Sequence, residues 1–163
     1  MIPPEIAESI VPQIADGTHD AAVLSHVCGV DFQFQVDLFD GNPYLVTNAH
    51  LKTWRTKIEK VAALAGENCF SYNTLEGDCD GVYYPNADNT LAILFAPGSF
   101  LEHNEVDGKR LFLLLSESKS ILTGSNSTEG MALIEKHRKT ATAKSVVTID
   151  KKWQNWILPD KIE

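Results

Sequence analysis

The stretch FQFQVDLFDG, residues 32–41, decides the fold class. Phe32, Phe34, Val36 and Leu38 alternate with Gln33, Gln35 and Asp37. Successive side chains of a strand point to opposite faces, so a period of two describes a strand with one dry face and one wet face. Asp40-Gly41 follows, a dipeptide that tolerates the positive φ of tight hairpin turns. Tyr44 to Thr47 supplies the returning strand, which Pro43 confines to an edge or a late start. The expectation is an antiparallel hairpin.

Downstream, Asn48 is a helix cap. Leu51, Trp54, Ile58, Val61 and Ala65 then recur at three- and four-residue spacings, which predicts one amphipathic helix from Asn48 to Ala65 with Gly66 as its stop. Residues 67–89 are rich in turn formers, with a short strand at Val82 to Tyr84. Leu91 to Ala96 is a continuous apolar run, expected as a central strand and broken by Pro97-Gly98. Asp107-Gly108 turns into a strand at Lys109 to Leu115, and Ser120 to Gly124 returns after the polar turn at Glu117-Ser118, as in a meander. Asn126 and Glu129 have capping-box spacing ahead of a helix carrying Met131, Ile134 and Ala141. Lys136, His137, Arg138 and Lys139 crowd its second half, where cations suit the helix dipole. Val146 to Ile149 is a further strand.

Upstream, Ile6, Ile10 and Ile14 fall on one helical stripe, with a kink at Pro12 or two short helices in its place. Thr18 or Asp20 is a cap for a second short helix ending at Val27. The whole chain, residues 1–163, is expected to be a single α+β domain: an antiparallel sheet of about five to seven strands, two main helices on one face, and an N-terminal helical segment.

Twenty-two acidic against fourteen basic residues give a net charge of −8. An acidic surface repels phosphate and anionic lipid, so nucleic acid and membranes are disfavoured partners. No apolar run approaches the roughly 18 residues needed to span a bilayer. The N-terminal MIPPE has neither a basic nor an apolar signal region, and the three cysteines (Cys28, Cys69 and Cys79) are odd in number, so reduced thiols in a cytoplasm are expected.

From about Tyr44 to Pro159 the order of features resembles the YtpQ-like family of uncharacterised bacterial proteins. Four stretches carry the likeness: YLVTNAHLKTW followed by VAALAGEN, then LAILFAPGSFL, VDGKRLFLLLSESKSILTGSN, and KKWQNWILP. The resemblance implies a bacterial or phage cytosolic α+β protein and assigns no catalytic residue.

The loop from Glu76 to Asp88 is the densest group of oxygen ligands. Asp78 and Asp80 precede Gly81, as alternating carboxylates precede the glycine of a calcium loop, with Asn86 and Asp88 as further donors. Position 87 is alanine where the EF-hand pattern requires glutamate, so that pattern fails and the plainer expectation is an Asp-rich turn. His19, His26, Cys28, Cys69 and Cys79 have zinc-ligand chemistry without zinc-ribbon spacing. Cys79 sits between two aspartates, which blunt a nucleophilic thiol. No Gly-x-Ser-x-Gly elbow or phosphate loop occurs. The C-terminal third combines Arg138 and Lys139 with Trp153 and Trp156, the residue types that dominate protein interfaces. If residues 153–156 were helical, the two tryptophans would share a face.

These readings predict a non-catalytic interaction or regulatory protein of the inhibitor, immunity or phage-accessory type. Its expected partner is another protein rather than nucleic acid, a homodimer is left open, and no cofactor or metal is expected. The alternative is a metal-assisted hydrolase or small-ligand enzyme built on the Glu76–Asp88 loop. No catalytic residue is assigned.

Overall fold

The structure, a computed structural model, describes residues 1–69, 81–97, 105–149 and 153–156. The predicted strand is its organising element. β3 (Val30–Val36) pairs with β1 (Ile10–Ile14) along one edge and with both β2 (Ser25–Val27) and β4 (Tyr44–Leu45) along the other. Phe32 is matched to Ile14 on one side and Ser25 on the other, and Val36 to Ile10 and Tyr44, so β2 and β4 lie end to end. Phe32, Phe34 and Val36 are fully buried on the dry face. The β3–β4 hairpin is present, joined by a connection longer than a two-residue turn.

The N-terminal helical segment is corrected. Only α1 (Pro4–Ala7) is helical, and the Ser9 hydroxyl donates to the carbonyls of Ile6 and Glu5 as the turn ends. Ile10 and Ile14 instead share one face of β1. A four-residue spacing fits a helical face, but it is also a multiple of two and fits a strand equally well. Pro12, unfit for a helix interior, is tolerated on this edge strand. The second predicted helix is a strand too. β2 turns into β3 through Cys28 and Gly29, whose φ values of 53° and 73° are those of a tight mirror-image hairpin turn.

The helix predicted from Asn48 to Ala65 is two helices, α2 (Asn48–Trp54) and α3 (Ile58–Cys69). The N-cap is Thr47, whose backbone N–H donates to His50 Nδ1 at 3.0 Å. The break is a Schellman-type end: Thr56 N–H donates to Leu51 O and Arg55 N–H to Lys52 O, with Arg55 left-handed at φ 51° and ψ 48°. Trp54, Val61 and Ala65 are buried as the stripe requires, while Leu51 and Ile58 are half-buried. Gly66 does not stop α3; it is buried inside the helix, beside α4.

The apolar run at Leu91 to Ala96 is helix, not strand. α4 (Ala87–Phe95) is capped by Asn86, whose Oδ1 accepts from Asn89 N–H at 2.8 Å. Ile93 and Leu94 join one apolar cluster with Phe32 of the first sheet and with Phe112, Leu114 and Leu122 of the second. Phe95 stands edge-on to Phe32 and Phe34 at 5.1 and 5.5 Å. A helix covered on several sides carries an unbroken apolar run, just as a buried strand does.

The second sheet runs β5 (Val82–Tyr83), β7 (Lys119–Gly124), β6 (Arg110–Ser116), β8 (Val146–Thr148), β9 (Gln154–Trp156), with every pair antiparallel. β6 and β7 form the predicted hairpin around Glu117-Ser118. Phe112 and Leu114 face α4, whereas Leu111, Leu113 and Ile121 face Met131 and Ile134 of α5 (Thr128–His137). The α5 cap is Ser127, whose Oγ accepts from Gly130 N–H at 3.0 Å. Asn126, the predicted cap, instead donates from Nδ2 to Asp107 Oδ1 at 3.1 Å. Among the described residues the architecture is therefore α+β with two antiparallel sheets, of four and five strands, rather than one. The two helices against the second sheet lie on opposite faces of it. No helix among the described residues is long and apolar enough to cross a membrane.

Candidate functional site

The wet face of the first sheet carries three glutamines. Gln13 on β1 lies directly across from Gln33 on β3, and Gln35 is two residues further along β3 on the same face. Gln13 Nε2 donates to Gln35 Oε1 at 2.8 Å, and Gln33 Nε2 donates to Gln13 Oε1 at 3.4 Å. A chain of three carboxamides joined in this way has one unused carbonyl at one end and one unused amino group at the other. Here the free carbonyl is that of Gln33 and the free amino group that of Gln35, among the described residues. Rotating all three amides by 180° would exchange the two ends without removing either.

A cleft of about 630 Å³ opens above these glutamines. That volume lies in the range of roughly 300–1,000 Å³ typical of ligand sites. Gln33 is only 5% exposed yet lines the cleft, so the surface it keeps faces that space. One wall is the segment that leaves β1 and crosses to the far edge of β3. It is fastened at its start by Ala15 N–H to Asp31 O, and at its end by Val23 N–H to Val46 O and a bridge between Ala22 and Thr47. Asp16, His19 and Asp20 on this segment line the cleft and are exposed. Thr18 donates to Asp16 Oδ1 from its backbone nitrogen at 2.9 Å and its hydroxyl at 2.7 Å. The hydroxyl bond first, then the backbone bond, holds the Asp16 carboxyl below its ordinary range.

Pro43, Tyr44 and Leu45 line the cleft as well, with Leu45 paired to Gln35 on the wet face. Tyr44 rests on His50 at 5.0 Å between ring centroids, and His50 stacks on the buried Trp54 at 5.4 Å. Partial burial pushes the Tyr44 phenol up, so it stays a neutral donor at ordinary pH. The cleft lining holds two carboxylates, a histidine and three carboxamides, and neither lysine nor arginine.

Gln33 and Gln35 are legible in the sequence as the wet face of a strand, while Gln13 falls in a segment whose isoleucine stripe reads as helix. The crossing segment that makes that face a cleft is not legible, because it is expected to be helical.

The residues singled out from sequence lie elsewhere. Asp88 is exposed in the first turn of α4; Asp78 and Asp80 lie outside the described residues. Among the described residues no three His, Cys, Asp or Glu side chains are grouped to hold a metal. His26 is exposed and pairs with Asp31 at 2.8 Å. Cys28 and Cys69 are buried free thiols, and Cys79 falls outside the described residues.

Trp153 and Trp156 do not share a helical face, because residues 154–156 form β9. Trp153 lies on the α4 side, donating from Nε1 to Leu94 O at 3.2 Å and meeting Phe112 edge-on at 5.5 Å. Trp156 lies on the α5 side beneath Lys109 Nζ, 5.2 Å from its ring centroid. Arg138 caps the end of α5 3.7 Å from Glu135, and Lys139 is exposed beyond it. Among the described residues neither cation meets either tryptophan in an ion pair or ring contact. A comparison with protein families, with curated proteins and with solved structures finds no match to this chain.

Proposed function

We propose that this chain is a non-catalytic interaction protein of the inhibitor, immunity or phage-accessory kind, which receives part of another protein in the cleft over β3. The single observation that carries the reading is Gln33: a side chain 5% exposed that lines the cleft and keeps one end of its carboxamide bonded to no other described residue. That end is open to the cleft rather than sealed in the core, so it suits a polar group supplied from outside. An acidic chain with an acid-lined cleft suits a protein partner rather than nucleic acid. The buried reduced thiols Cys28 and Cys69 suit a cytoplasmic setting in a bacterium or an infected cell, as the YtpQ-like resemblance implies.

A photo-cross-linking phenylalanine analogue at Leu45, which is paired with Gln35 on the wet face, tests this in the cells that make the protein. One discrete protein adduct, lost when Gln33→Leu is added, is the expected result. Adduct formation no greater than with the same analogue at Lys119, on the exposed β6–β7 turn, would overturn it.

A further inference from the structure

The cleft has a polarity and a spacing as well as a volume. Gln33 and Gln35 offer one acceptor and one donor between them, two residues apart on one strand face. Their backbone positions are about 6.6–6.8 Å apart along the strand, and an extended peptide presents its own same-facing N–H and C=O groups at the same interval of two residues. A chain laid along β3 can therefore donate an N–H to Gln33 and accept from Gln35 with a carbonyl two residues on. Helical or compact ligands do not repeat at that spacing. The wall above carries Asp16 and Asp20, with no lysine or arginine anywhere in the lining. Both bonds from Thr18 fall on Asp16 Oδ1, and the exposed carboxylate also feels His19 on the same segment.

We infer that the cleft takes an extended, basic peptide segment, with its main chain on Gln33 and Gln35 and a lysine or arginine side chain at Asp16 and Asp20. This rests on the interaction reading above and specifies what the partner presents. The carboxamides read the extended backbone, and the carboxylates select charge. Exposed carboxylates make the second part sensitive to salt, since such contacts are screened over about 8 Å at physiological ionic strength.

The test is a library of random short peptides displayed and panned on the intact protein, on Gln33→Leu and on the double variant Asp16→Asn/Asp20→Asn. Peptides enriched in lysine or arginine are expected from the intact protein. Their binding should fall by about tenfold or more in each variant, a loss of about 1.4 kcal/mol. The side-chain amide resonances of Gln33 and Gln35 should shift on titration. Asp16 and Asp20 are exposed, so the double variant keeps the test intact if Gln33→Leu fails to fold.

Peptides without basic enrichment, or with affinity unchanged in the double variant, would overturn the inference. So would lysinamide competing as strongly as the peptides, which would mark the cleft as a small-amine site. If the Leu45 probe captures a partner while panning yields no basic peptide, the peptide chemistry falls and the interaction reading stands. If basic peptides bind while no partner is captured, the interaction reading falls instead.

Discussion

A Cβ placed on Gly66 would lie 2.8 Å from the Cβ of Phe95 and 2.7 Å from the backbone nitrogen of Ala96, so α3 and α4 meet there with no room for a methyl group. Gly66→Ala therefore sets two effects against each other. Alanine favours a helix interior over glycine by about 1 kcal/mol. Forcing a methyl into a filled contact costs about 1–3 kcal/mol. Phe95 cannot give way freely, because it is also braced against Phe32 and Phe34. We expect a net loss of stability, read as a lower urea midpoint at unchanged slope. An unchanged or higher midpoint would show that the two helices can part.

Trp54 is 5% exposed and is stacked under His50. Trp54→Ala should cost about 3–5 kcal/mol, the usual range for a large buried aromatic. Chemical denaturation measures the cost. A cost below 1 kcal/mol would mean that the α2 stripe does not anchor the core.

Arg55 is exposed and left-handed at the end of α2. That conformation costs a non-glycine residue roughly 1–2 kcal/mol, while glycine adds unfolded-chain entropy worth about 0.4–1 kcal/mol. Arg55→Gly should raise stability by up to about 1 kcal/mol. A drop in melting temperature would mean that the guanidinium makes a compensating contact.

What was legible in the sequence follows from which patterns have a single solution. Phe32 to Val36 alternates with period two over a half-wet face, and only a strand satisfies that, so β3 and its glutamine floor could be read. The β6–β7 hairpin was equally plain. The isoleucines at 6, 10 and 14 satisfy both a helix and a strand, and Pro12 was the residue that should have decided between them. Leu91 to Ala96 could not be resolved by periodicity, because α4 is covered by both sheets and has no wet face to set a period. The break at Arg55 left no mark, since Leu51, Trp54, Ile58 and Val61 keep helical spacing across it. The cleft depends on Ala22 meeting Thr47, a contact between residues 25 apart that no local pattern encodes.

Asp78 and Asp80, with Asp88, remain the natural place to look for calcium. Two or three carboxylates fall short of the 6–8 oxygens at 2.3–2.6 Å that calcium takes. Saturating calcium should therefore leave the melting temperature unchanged, because only a ligand that binds the native state raises it. A rise of several degrees abolished by Asp80→Ala would move the metal-dependent reading ahead of the interaction reading.

The two buried thiols predict how the protein responds to alkali. Burial first, and the Asp88 carboxylate second, pushes the Cys69 thiol up to about 11 from an ordinary 9.0. Burial alone pushes Cys28 up as well. In the unfolded chain both thiols ionise from about pH 9, while in the native protein they stay protonated. The native state then binds more protons than the unfolded state, so stability falls as pH rises. The contribution is fully present below pH 9 and is lost progressively above it. Thiolates are the reactive form, so Cys28 and Cys69 should resist alkylation at pH 8 in the native protein and react once it is unfolded. Comparing urea midpoints at pH 7.5 and pH 10 tests the linkage directly. The drop should shrink in a Cys28→Ala/Cys69→Ala variant, whatever that variant loses in packing at neutral pH. A drop of the same size in both proteins would place the alkaline sensitivity on other groups.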